Sequence, residues 1–199
     1  MGKEERRQRI VRYEREQEEY GKPEKKPAYF TRDGKGRMVY TGRFYELEKG
    51  GRTKNRMLLP VGGLLLACLA LVVVSGIPAI PGTAAWYVIV PEAAAFVSGI
   101  FSLWKLGSLL FAKEPVAEYV YDQDVRKLGP WITALAASSA GGALTEAFYL
   151  LLHGGGEKTA AAAVYLAAMA LSALFARSAG KRFGSLEWKA VSGSSAGRE

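Results

Sequence analysis

Two glutamates, Glu92 and Glu146, lie inside long apolar runs, and they are the residues of this chain whose type and setting could do chemistry. An ionisable side chain in such a run is costly, so it turns to a bundle interior or to water and often marks an ion or substrate path. Counting inward, Glu92 is seven residues from Ala85 and Glu146 six from Leu152. At 1.5 Å per helical residue both lie about 10 Å from the same side. Around Glu146, the residues Ser139, Gly142, Glu146, Tyr149 and His153 are spaced 3, 4, 3 and 4; around Glu92, the residues Glu92, Ala95, Gly99 and Ser102 are spaced 3, 4 and 3. Each set occupies one helix face. Packing the two faces would bring the carboxylates together. A close carboxylate pair in a dry site does not readily ionise twice, and a shared proton, a cation or a cationic substrate relieves the repulsion.

Glu92, Glu146, Tyr149 and His153 are therefore the candidate substrate or ion site, and Gly99, Ser139 and Gly142 are the candidate helix-packing positions. The competing account has each glutamate protonated, or hydrogen-bonded to a hydroxyl such as Tyr149 or Thr145, and only holding helices together. On sequence alone that structural account is the favoured one.

Other chemistry is sparse. The single cysteine, Cys68, excludes an internal disulfide, a CxxC pair and a cysteine-rich zinc site. A Ser-His-Asp arrangement would have to use the one histidine, His153, beside a glycine triplet at the end of an apolar segment. No phosphate-binding GxxxxGK[ST] loop, GxGxxG turn or HExxH helix is present, so no catalytic residue, metal site or cofactor is expected.

The elements that must position the glutamates follow from the uneven placement of charge. Residues 1–56 hold 17 of the 27 Lys and Arg and 10 of the 19 Asp and Glu, whereas residues 57–112 hold only Lys105 and Glu92. A water-soluble core does not need such charge-free stretches. A bilayer does, since its hydrocarbon layer of about 30 Å takes about 20 apolar residues to cross. Four spans are expected, at 57–75, 85–112, 130–152 and 159–176, giving an all-α membrane protein built as a four-helix transmembrane bundle. Pro78, Pro81 and their flanking glycines make the first connection a tight turn, and Gly154 to Lys158 is too short to be a domain. The middle connection, Lys113 to Gly129, has room for a short interfacial helix starting at Pro115, and Lys105 is expected to snorkel to the headgroups.

Basic residues in short loops stay on the cytoplasmic side. Lys54, Arg56, Lys113, Arg126, Lys127, Lys181 and Arg182 all fall on one side of a four-span arrangement, which expects a plasma-membrane protein with both termini cytoplasmic. The arm before the spans reads as a helix over 3–20, a linker over 21–27 and a hairpin over 28–47 turned at Asp33-Gly34, with a third short strand at Arg43 to Leu47. Its net charge of +7 suits anionic headgroups. Interleaved acids speak against nucleic acid. The tail, 177–199, is expected to be cytoplasmic and disordered at its end. The functional expectation is a non-enzymatic assembly or accessory component of a membrane complex, with other membrane proteins or a second copy as partner. The alternative is a small transporter or channel subunit using Glu92 and Glu146.

Overall fold

Four helices long and apolar enough to cross a membrane dominate the computed structural model, which describes residues 29–32, 34, 38–48, 53–77, 80–154 and 156–191. They are α1 (Lys54–Gly76), α2 (Trp86–Phe111), α3 (Glu118–His153) and α4 (Thr159–Gly184). Each packs on two others in a ring, α1 and α3 both lying against α2 and α4. A 3-10 turn at Pro81–Ala84 leads into α2, and another at Gly156–Lys158 leads into α4. The outside of the bundle is apolar: Leu59, Leu66, Phe96, Ile100, Leu144 and Leu174 are between 42 and 71% exposed. Its inside carries Cys68, Ser98, Ser102, Ser139, Ser172 and Glu146, all buried. A bundle with leucine outside and serine inside suits lipid, where polar groups have to be satisfied internally. Pro60, Pro91 and Pro130 lie within the helices, as membrane helices tolerate.

The chain divides into two compact units, Met1–Gly42 and Arg43–Glu199. In the first, β1 (Phe30–Arg32) pairs antiparallel with β2 (Met38–Tyr40), Phe30 opposite Tyr40 and Arg32 opposite Met38. The Phe30 and Tyr40 rings meet edge to face at 5.4 Å. The expected helix over 3–20 and linker over 21–27 lie outside the described residues, as does Asp33 of the turn.

In the second unit, three segments remote in sequence form one small antiparallel sheet. Its centre is β3 (Phe44–Leu47), flanked by β4 (Val116–Ala117) and β5 (Trp188–Val191). Tyr45 lies opposite Val116 on one side and Ala190 on the other. The expected third strand of the hairpin thus exists but belongs to this sheet instead, because its partners are contributed by the middle connection and the tail. The middle connection is corrected likewise. It has no separate interfacial helix; after β4 the chain turns directly into α3 at Glu118, through a π-helical stretch at Tyr121–Val125. The described part of the tail continues α4 to Gly184 and then forms β5, and residues 192–199 lie outside the description.

Hydrogen bonds, a ring stack and one exposed ion pair hold these segments. Glu118 clamps Arg43 twice: its carboxylate accepts from the Arg43 amide at 2.8 Å and its own amide donates to the Arg43 carbonyl at 2.9 Å. The Tyr45 ring stacks on Tyr121 of the π-helical stretch at 4.0 Å. At the exposed edge, Lys189 meets Glu48 at 2.7 Å. That contact holds the Glu48 carboxyl below its ordinary range and the Lys189 ammonium above its own. Its small contribution is therefore lost as pH falls through the folded Glu48 value or rises through the folded Lys189 value, and salt screens it in between.

Below the sheet, Lys105 does not snorkel. Its ammonium pairs with Asp124 at 2.8 Å, and Ser108 donates to the second Asp124 oxygen at 2.7 Å. Lys54 is buried too, and its ammonium donates to the Leu109 carbonyl at 2.9 Å and to the Ala112 carbonyl, at the negative end of α2. Asp124 thus holds the π-helical stretch to α2. Asp124→Ala should cost about 3 kcal/mol, because it leaves the Lys105 ammonium part-buried and unmatched. Replacing both residues, as Lys105→Met with Asp124→Leu, should recover most of that loss. Thermal unfolding of the detergent-solubilised chain checks both; a double variant as unstable as the single one would show that the pair is not the source.

Candidate functional site

The opposite end of the bundle, where α1 turns into α2, holds the two glutamates. The apolar face of each helix directs its few polar groups inward, and the α1–α2 turn lies over them. Glu146 is fully buried, with 0% of the residue exposed. Neither of its carboxylate oxygens has a hydrogen-bond partner among the described residues. The Gly82 amide lies beside the carboxylate without hydrogen-bonding geometry. The approach is so close that a methyl group on Gly82 would overlap Glu146 Oε2. The structural account would have Thr145 or Tyr149 as the partner. Thr145, however, donates to the Gly141 and Gly142 carbonyls at 3.0 and 3.1 Å, and the Tyr149 ring stacks on His153 at 4.6 Å.

Glu92 is half-buried on α2 and lies against Gly76, where an added Cβ would sit 2.8 Å from its Oε1. The Ser75 hydroxyl is beside it as well, while donating to the Val72 carbonyl at 2.7 Å. The same end holds a residue that sequence reasoning passed over, Tyr165 on α4. It too is fully buried, its hydroxyl has no hydrogen-bond partner among the described residues, and both Glu92 and Glu146 act on it electrostatically. The fold therefore brings Ser75, Glu92, Glu146 and Tyr165 together, one from each helix. A signal for Tyr165 existed: in the alanine-rich fourth run, Tyr165, Met169 and Ser172 are spaced 4 and 3, one helix face.

The remaining expected residues fall as follows. Gly142 faces Tyr165 and Met169, an added Cβ lying 3.0 Å from the phenol oxygen and 2.5 Å from the Met169 methyl. Ser139 hydrogen-bonds Ser172 at 3.1 Å, joining α3 to α4, and the Cys68 thiol donates to the Ser172 carbonyl at 3.4 Å. A Cβ added at Gly99 would meet the Leu69 and Leu135 methyls at 3.2 and 3.8 Å. His153 is exposed at the end of α3, its ring nitrogen 3.3 Å from the Tyr149 carbonyl, and neither it nor Tyr149 hydrogen-bonds a carboxylate. The described residues contain no group of three or more His, Cys, Asp and Glu able to hold a metal ion.

The glycine under Glu146 makes a direct check. Gly82→Ala should cost roughly 1 to 3 kcal/mol, since its methyl forces the turn or the carboxylate to move. Gly63→Ala on α1, where an added Cβ meets nothing within 4 Å, should be neutral or slightly stabilising. Equal melting temperatures for the two variants would show that the turn does not rest on Glu146. No protein-family model, curated protein or solved structure matches this chain.

Proposed function

We propose that the chain is a multi-pass membrane protein acting as a small transporter or channel subunit, with Glu92 and Glu146 as its binding groups. The observation that carries the reading is Glu146, fully buried with both carboxylate oxygens unmatched. A side chain serving only to join helices would be hydrogen-bonded to one of them, because an unmatched buried acceptor costs about 1 to 3 kcal/mol. A group left open inside a bundle is one kept for an exchangeable partner. On this reading the protein is not an enzyme, and it sits in the plasma membrane with both termini cytoplasmic. Arg56, Arg126, Lys127, Lys181 and Arg182 support that orientation as the basic residues at the sheet end.

Flux into liposomes carrying the purified chain tests the reading, measured for protons, sodium, potassium and a cationic dye. Flux of one of these should be present in the wild type and lost in Glu146→Gln, with the melting temperature largely kept. A variant that melts lower and carries undiminished flux would leave Glu146 a structural residue.

A second reading, assembly with other membrane proteins or a second copy, is favoured by the sheet. Its edge strand β5 carries exposed Lys189, Ala190 and Val191, and an exposed strand edge is a template for pairing. Gentle purification of the native complex would test it.

A further inference from the structure

The carboxylate site carries more than its acids. Three oxygens from two fully buried side chains, Glu146 Oε1, Glu146 Oε2 and Tyr165 Oη, lack a hydrogen-bond partner among the described residues, and the phenol is under the electrostatic influence of both glutamates. We propose that the Tyr165 hydroxyl is the relay through which a proton passes between Glu146 and Glu92, so that the species this bundle handles is the proton. The inference rests on the reading of Glu92 and Glu146 as functional and deepens it by naming both the ion and a third participating residue.

The surroundings exclude the alternatives by size and by donor count. The site is walled by the Gly82 backbone, a Val88 methyl, Gly142 and the Met169 methyl, and an added Cβ at Gly82 or Gly142 already collides. An organic ammonium ion needs far more room. A hard metal cation takes about six or more oxygens, and the two carboxylates and the phenol supply at most five. A proton needs only a donor and an acceptor in sequence.

The groups facing the relay come from every helix of the bundle. Ser75 on α1 lies beside Glu92 with its hydroxyl also in reach of the Val72 carbonyl and the Met169 sulfur, Glu92 and Glu146 are the acids on α2 and α3, and Met169 lies one turn from Tyr165 on α4. Among the described residues no Lys or Arg forms an ion pair with Glu92 or Glu146. A carboxylate there has no fixed counter-charge among them, and a proton can balance it.

The step balances without a co-reactant. Once the side chains close to hydrogen-bonding distance, a protonated Glu146 gives its proton to Tyr165 Oη as the Tyr165 O–H bond breaks toward the Glu92 carboxylate. The phenol is neutral before and after, and the negative charge moves from Glu92 to Glu146. Because a phenol titrates near pH 10 in water, the concerted exchange avoids a free phenolate.

The test uses the full chain in liposomes, with a potassium diffusion potential set by valinomycin and a pH dye inside. The expected result is acidification by the wild type, loss in Glu146→Gln, and a drop of at least about tenfold in Tyr165→Phe. Tyr165→Phe should also melt no lower than the wild type, since its hydroxyl makes no hydrogen bond that the variant would lose. Wild-type proton flux in Tyr165→Phe, alongside an inert Glu146→Gln, would overturn the relay and leave the carboxylate site standing. Flux of sodium or dye without proton movement would overturn the proton as the species, and a wild type inert to every ion would overturn the site itself.

Discussion

A polar side chain inside a bundle with an apolar exterior must find its partner within the bundle, and the rest of this structure depends on that constraint. The sheet end meets it in full. Asp124 is matched by Lys105 and Ser108, and the Lys54 ammonium is spent on the last carbonyls of α2. At mid-depth the same demand is met with weak donors, Ser139 on Ser172 and Cys68 on the Ser172 carbonyl, which join three helices without a charge. These contacts set which helix faces which. Those at the sheet end hold α1, α2 and α3 to one another.

Against that background the turn end stands out by default of partners. Glu146 and Tyr165 are as deeply buried as any leucine of the core, yet their oxygens have no hydrogen-bond partner among the described residues. Dispersion and helix packing hold them there, through Gly142, Met169 and the turn above. The saturated end supplies the rigidity, and the unsaturated end keeps its capacity for a partner.

Much of the bundle was legible in the sequence. Charge-free runs of the length a bilayer requires gave four helices at nearly the right positions, and the spacing about Glu92 and Glu146 put both on inward faces near one end. What was not legible depends on distance along the chain. Lys105 read as a snorkelling lysine because its partner, Asp124, lay in a segment that looked like an ordinary charged loop. Phe44–Leu47 read as a hairpin strand because its true partners are some 70 and 140 residues away, and β pairing at that separation leaves no local pattern. Tyr165 was hidden by composition, a lone hydroxyl in an alanine-rich helix whose small residues already had an explanation in packing. His153 shares the helical spacing of that face, but the helix ends there and its ring is exposed.

Small residues in membrane helices are usually read as places where another helix approaches, and part of this bundle agrees. A Cβ at Gly62 would meet a Leu106 methyl at 3.2 Å, and one at Gly99 would meet the Leu69 and Leu135 methyls. Nearer the turn the space vacated by glycine is filled differently. Glu92 Oε1 occupies the space beside Gly76, Glu146 Oε2 that beside Gly82, and Tyr165 Oη shares with the Met169 methyl that beside Gly142. Glycine is here the means by which long polar side chains come within reach of one another, since a methyl group at any of these three positions would displace an oxygen. The glycines and the acids, which look in sequence like two unrelated features, are thus one feature: a close-packed bundle end in which glycine makes room for buried oxygens.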